Sequence, residues 1–412
     1  MTEQHDTIVI GGGQAGLAMS YHLRAQDREH VVLERDRVAA RWHGERWDSL
    51  YFQFPNWSLQ LPGYAYAGSE PDAFAHRSEV ARFIEDYARF IDAPLRCGID
   101  VQSLELDREA RRFRLITNGG TFEAQRVVVA TGPFQRERIP ALHADFDAAI
   151  FQTSARRYRA PAQLPPGAVL IVGAGGSGCQ IAEELLEAGR KVYLCVGRHR
   201  RIPRRYRGRD LLAWLEDLGT MSTPIDAFPN RQPPPPILLT GFQGGHDMDL
   251  RELARAGAVL TGKLVAVEDG IARFDDSLEP SLAAADESSA AFVRAVDEHV
   301  RVSGIAVEEE RPGLRAPTPL QSPRSIDMKM CDVTSIIWCT GYSLDFGWIK
   351  IDVFAGDGTP QQQRGVTNCP GLYFLGLHWM HTFRSGTLFG VGGDAAYLAT
   401  HIEGLHSGKS KE

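Results

Sequence analysis

The sequence predicts an α/β protein built from two Rossmann-like dinucleotide-binding domains, the second inserted into the first. Three observations carry that expectation. A glycine turn of the form G-x-G-x-x-G occurs twice, at Gly11–Gly16 and at Gly173–Gly178. Each turn follows a short apolar run and opens a helical one. Two apolar strands, one ending in "ATG" and one in "CTG", stand on either side of the second turn.

The first unit begins with the buried-strand run "TIVI" (Thr7–Ile10). Gly11 permits the tight turn, Gly13 lets backbone approach a pyrophosphate, and Gly16 lets helix and strand pack closely. Gln14 and Ala15 lie within the same turn, and the helix N-terminus faces the phosphates. The next strand, "HVVLE" (His30–Glu34), ends in a carboxylate 18 residues after Gly16. Glu34 is placed to accept hydrogen bonds from a ribose diol, with Arg35 beside it. This site reads as one for FAD.

The second unit repeats the layout. "VLIV" (Val169–Val172) leads into Gly173, Gly175, Ser177 and Gly178, then a helix, then the strand "KVYLCVGR". Here the terminal acid is replaced by Arg198. A carboxylate repels a 2′-phosphate and a guanidinium holds it, so this site reads as one for NADPH. Arg198 opens a run of seven arginines in the twelve residues to Arg209. Arg198 or Arg200 is expected on the adenine-side phosphate. The rest of the run is open between steering, folding and a channel rim; solvated surface charge is the lesser alternative for Arg198 and Arg200.

The expected divisions are residues 1–163 and 326–412 for the FAD domain and 164–325 for the NADPH domain. "APAQLPPG" (Ala160–Gly167) and "RAPTPLQSPRS" (Arg315–Ser325) read as linkers. Within the second domain, residues 204–236 form an excursion with a helical stretch (Asp210–Gly219) and a stiff "PPPP" segment. It is either a lid or an ordinary surface insertion. Leu282–Gly304 reads as a largely polar helix without recognisable chemistry.

Composition bounds the remainder. A net charge of −7 argues against a nucleic-acid role. No apolar run is long enough to span a membrane, and the chain enters a strand at once, without room for a signal peptide. Six scattered cysteines with no C-x-x-C pair argue against a zinc site or a dithiol centre. They fit a reducing cytoplasm. No metal spacing appears.

The paired turns, "ATG", "CTGY" and the terminal "PGLYFLGLHW" resemble class B flavoprotein monooxygenases: the flavin-containing monooxygenases, the Baeyer–Villiger enzymes and the plant YUCCA-type enzymes. The resemblance implies one chain holding FAD and NADPH, with dioxygen and a small organic molecule as substrates. It implies that oxygen is carried on the flavin as a C4a-hydroperoxide. "FPNWSLQLPGY" gives Asn56 the catalytic position against the flavin edge. "RWHGERWDSL" supplies Arg41 and Trp42 as cofactor contacts. Thr131 and Gly132, Thr340, Gly341 and Tyr342, and Gly376 and Leu388 take cofactor-binding positions. "LHWMHTFRSGTLFG" offers His378, Trp379, His381, Phe383 and Arg384 on the substrate side, an aromatic and basic wall suited to an aromatic or anionic substrate. These same residues could instead be core and surface.

One departure from the family is clear. The fingerprint F-x-G-x-x-x-H followed by an aromatic is met by Phe146, Ala148 for the glycine and Gln152 for the histidine, with Tyr158 displaced. The choice between heteroatom oxygenation and oxygenation at a carbonyl stays open, as does a homodimer. Two rivals remain: an NAD(P)H-dependent flavin reductase with a non-oxygen acceptor, and a non-catalytic nucleotide sensor.

Overall fold

The computed structural model describes residues 2–310, 320 and 322–407. The elements that position the site are, in chain order, β1 (Thr2–Ile10), α1 (Gln14–Ala25), β2 (His30–Glu34), α2 (Arg77–Phe90), β3 (Leu95–Cys97), β4 (Gly120–Val129), β5 (Phe151–Ser154), β6 (Ala168–Val172), α3 (Gly176–Glu187), β7 (Val192–Cys195), α4 (Leu211–Asp217), β8 (Val259–Thr261), α5 (Leu278–Ser303), β9 (Val333–Trp338), β10 (Leu372–Phe374) and α6 (Val391–Ser407).

Two large sheets form among the described residues, beside four smaller ones. The first has the central order β10-β4-β1-β2-β3, all parallel, with Val366–Thr367 and Gln362–Gln363 added antiparallel beyond β10. The second is five-stranded and parallel, in the order β5-β9-β6-β7-β8. Central parallel strands are covered on both faces, so they read as unbroken apolar runs. Ile8, Val9, Val32 and Val127–Val129 are buried in the first sheet, and Val169–Ile171, Leu194 and Ile337 in the second. Helices α1 and α6 pack together against the first sheet.

The second sheet draws strands from outside the expected 164–325 span. Phe151–Ser154 pairs with β9, and β9 lies between β5 and β6. The "CTG" strand therefore serves the second glycine turn, as the "ATG" strand serves the first. Apolar content alone does not say which sheet such a strand joins; its partner does. The chain passes between the sheets through two short segments that pair antiparallel, Tyr342 opposite Glu137 and Ser343 opposite Arg136. Of the expected linkers, Pro161–Gln163 is a short 3₁₀ turn. Residues 315–319 and 321 of the other lie outside the described residues.

The excursion is packed rather than loose. Trp214 of α4 is fully buried, with Leu211, Leu212, Leu215, Met221 and Ile225. Helix α5, 26 residues long, supplies acids to the basic run. Arg201 pairs with Asp286 at 3.1 Å, Arg207 with Asp297 at 2.8 Å, and Arg209 with Asp217 of α4 at 2.7 Å. Arg204 is 2% exposed; it pairs with Asp210 at 2.9 Å and lies over the Phe74 ring. Arg205 donates to the carbonyls of Gly244 and Gly245. Of the open readings of this run, folding accounts for these five.

Candidate functional site

Both glycine turns are built the same way. Gly11 has φ +111°, and a Cβ there would lie 2.5 Å from the Ala130 carbonyl oxygen. Gly173 has φ +108°, and a Cβ there would lie 2.5 Å from the Cys339 carbonyl oxygen. A Cβ on Gly16 would stand 1.8 Å from the Gly11 oxygen, and one on Gly178 would stand 1.9 Å from the Gly173 oxygen. The middle glycines differ. Gly13 and Gly175 are extended, cap α1 and α3, and have no atom within 4 Å of a Cβ position. The outer glycines are demanded by the chain itself; the middle ones face open space at a helix N-terminus. That is the cradle a pyrophosphate needs, and the residues fit a dinucleotide at both turns.

The two sites differ in charge. Glu34 is held at the end of β2, accepting from the Gly12 amide at 2.7 Å and the Asp36 amide at 3.0 Å. Arg35 is exposed beside it. At the matching end of the second site, Arg198 is exposed and forms no hydrogen bond or ion pair among the described residues. Arg200 is engaged: its Nε donates to the Pro235 carbonyl at 2.7 Å, and burial lowers its pKa. Of the two expected phosphate contacts, Arg198 is the free one. Ser177 is exposed on the first turn of α3.

Around the first turn, Gln14 donates to the Gly386 carbonyl at 3.0 Å. Gly376, at φ +79°, packs so tightly on Ala15 that a Cβ would lie 2.5 Å from the Ala15 Cβ. Arg41 donates to the Phe134 carbonyl and pairs with Glu45 at 3.3 Å; burial lowers its pKa against that pairing. Trp42 stands edge-on to Phe52 at 6.0 Å. Arg46, which the sequence did not single out, lies 5.5 Å from the Trp42 ring and 5.4 Å from the Phe134 ring. Thr131 and Gly132 accept from Gln135, and Thr340 donates to the Arg138 carbonyl. The Gly341 carbonyl accepts from the Arg138 amide at 3.0 Å, and Tyr342 stands edge-on to Phe134 at 5.2 Å. The hydrogen bonds of these residues run to Gln135 and Arg138, in the segment between them. Leu388 is buried and lines a cavity of about 300 Å³ with His22, Leu61 and Phe389.

Asn56 is 6% exposed and starts a 3₁₀ turn whose cap position is Pro55. Its Nδ2 donates to the Glu70 carbonyl at 3.0 Å, while its Oδ1 is buried with no partner in the protein. The side chain braces a neighbouring loop and leaves one acceptor open. It does not cap its own turn.

The substrate-side segment divides. His378 is exposed, with its ring edge-on to Phe134 at 5.1 Å; desolvation of the ring by the protein around it lowers its pKa. Trp379, at φ +53°, packs against Phe383 at 5.5 Å and against Phe228 of the excursion at 5.3 Å. Phe383 meets Phe54 at 6.5 Å, and Phe54 meets Phe52 at 5.6 Å. An aromatic row thus runs from Trp42 to Phe228. The His381 carbonyl accepts from the Ile225 amide at 2.7 Å. Arg384 is ion-paired to Glu216 of α4, so the expected basic wall is neutralised there. The signal missed was "LEDLG" in the excursion, whose glutamate reaches across 168 residues.

At the fingerprint, Gln152 donates to the His143 carbonyl at 2.9 Å and accepts from Trp338 at 3.0 Å. Phe146 packs on Trp338, and buried Tyr158 donates to Glu184 at 2.6 Å. Among the described residues, no cluster of three or more His, Cys, Asp or Glu could hold a metal. No helix there is long and apolar enough to cross a membrane.

Residues 8–216 match the family described as pyridine nucleotide-disulphide oxidoreductase. An uncharacterised CzcO-like oxidoreductase of Geobacillus kaustophilus is 32% identical, covering 96% of this chain and 98% of its own. The indole-3-pyruvate monooxygenase YUCCA1 of Oryza sativa is 28% identical over 46% of this chain and 47% of its own. A variant of the flavin monooxygenase from Stenotrophomonas maltophilia superposes with a TM-score of 0.68 at 20% identity, covering 98% and 99%. With both nucleotide turns in place, the chain belongs to the pyridine nucleotide-disulphide oxidoreductase family, and its fold is the one seen in a flavin monooxygenase.

Proposed function

We propose that the chain is an FAD- and NADPH-dependent monooxygenase acting on a small organic substrate. One observation carries the reading: two glycine cradles of the same geometry, one ending in Glu34 and the other in the free Arg198. Two nucleotides of different ribose chemistry are what such a pair selects. The partial match to YUCCA1 supports oxygenation as the reaction.

Bound at the first cradle, FAD would take hydride from NADPH and activate dioxygen. The chain's own residues do the placing. The α1 and α3 N-termini and the amides beside Gly13 and Gly175 hold phosphates. Glu34 orients the FAD ribose, and Arg198 pairs with the NADPH 2′-phosphate. The aromatic row from Trp42 to Phe228 walls the cleft and excludes water, which prolongs any reactive oxygen species. Asn56 offers its open Oδ1 without a proton that titrates.

The family description also suggests a disulfide acceptor. Cys179 and Cys195 are buried and exposed Cys97 stands alone on a strand end among the described residues, and burial raises the thiol pKa of all three. Thiolate chemistry is disfavoured at such sites. Purified protein should show flavin absorbance and consume NADPH and oxygen together when substrate is present. A colourless protein, or NADPH oxidation indifferent to oxygen, rejects the proposal.

A further inference from the structure

The excursion meets the 379–384 loop at four points. The Ile225 amide donates to the His381 carbonyl at 2.7 Å, and Pro224 bridges Thr382. Phe228 packs on Trp379 at 5.3 Å. Glu216 receives both its hydrogen bonds from one nitrogen of Arg384. Trp379 is held in the left-handed region, which a bulky residue rarely adopts. Such a conformation persists when surrounding packing fixes it, and it often marks a functional segment.

Arg384 has no second acidic partner among the described residues, and its Nε is buried with no hydrogen bond. Its guanidinium lies 5.9 Å from the Phe389 ring, and Phe389 meets Phe54 at 5.5 Å. Two residues on, the Gly386 carbonyl is bonded to Gln14 of the first glycine turn. Arg384 therefore sits between the aromatic row and the first cradle. Its charge is cancelled by an acid from a different part of the chain.

We infer that Glu216 is a specificity-determining residue: by neutralising Arg384 it sets the cleft to take an uncharged aromatic substrate and to reject a carboxylate. The inference rests on the reading of this cleft as the oxygenation site. A carboxylate entering beside Arg384 meets the Glu216 charge, so it gains no net attraction and still loses its hydration. An uncharged ring loses only apolar hydration and gains contact with the part-exposed rings of Phe383 and Trp379.

The test uses full-length, flavin-loaded protein and two probes of one shape, 2-naphthylacetamide and 2-naphthylacetate, with binding measured by calorimetry. Wild type should bind the amide about tenfold more tightly than the carboxylate. Glu216→Gln keeps a hydrogen-bond acceptor for Arg384 but removes the charge, and should strengthen carboxylate binding by about tenfold, the scale of one charge-assisted pair. Adding Arg384→Gln should cancel that gain while leaving amide binding within about twofold. Equal wild-type affinity for both probes, binding of neither, or a Glu216→Gln protein with unchanged preference overturns the inference. NADPH-driven oxygen uptake is followed on the same preparations. Intact uptake without charge selectivity overturns this inference alone. Charge selectivity without uptake overturns only the oxygenase reading.

Discussion

The Gly13 Cβ position is open, whereas a Cβ on Gly16, three residues away, would stand 1.8 Å from the Gly11 carbonyl oxygen. Chain packing and ligand binding thus fall on different glycines of one turn. Gly13→Ala should fold with a stability within about 1 kcal/mol of wild type, since its backbone is extended. It should lose FAD, because the methyl group enters the phosphate space. Gly16→Ala should cost about 3 kcal/mol or more by overpacking against backbone. Thermal melts and flavin content, read together, check both.

The same contrast applies to arginines of the basic run. Arg198→Ala removes a side chain with no described partner and should leave the melting temperature unchanged. NADPH binding should weaken by about 1–3 kcal/mol and NADH binding hardly at all. Arg204→Ala empties a buried site and takes the ion pair from part-buried Asp210, and should destabilise by about 3 kcal/mol. Nucleotide titrations and chemical denaturation separate the two outcomes.

Asn56→Ala removes the bond to the Glu70 carbonyl and should cost about 1 kcal/mol of stability. Asn56→Asp faces a carboxylate toward that carbonyl and should cost more. In both variants NADPH should still be oxidised, with oxygen released as hydrogen peroxide rather than transferred. Peroxide and product yields per NADPH measure this; tight coupling in Asn56→Ala would leave the residue a loop brace.

His246 lies 2.6 Å from Glu183, and this hydrogen bond raises its pKa above 6.5 despite partial burial. A raised histidine pKa stabilises the folded state fully below the unfolded value, and the contribution fades as pH rises through the folded value. His246→Gln should therefore melt well below wild type near pH 6 and approach it near about pH 9. A gap that widens with rising pH would contradict the assignment.

Much of this fold was legible. β2 ends at Glu34, as its apolar run closed by an acid implied, and both turns carry their glycines where sterics require them. The sheet membership of Val333–Trp338 was not legible, because its residues are equally apolar in either sheet. The role of the rest of the basic run stayed open because its partners Asp286 and Asp297 lie 85 and 90 residues from Arg201 and Arg207. Arg384 looked like an anion receptor for the same reason. Charge is visible in a sequence; its neutralisation by a distant segment is not.

The pairing of β4 with β10 also governs synthesis. Val127, Val128 and Val129 find their outer neighbours in Leu372, Tyr373 and Phe374. These partners leave the ribosome roughly 240 residues later, a delay of about 12–48 s at ~5–20 residues per second. Throughout that interval the three valines present an unpaired apolar strand edge, the kind of edge on which nascent chains aggregate. Expression of this protein should therefore respond to chaperone supply and to translation speed across the inserted sheet more than to its final stability.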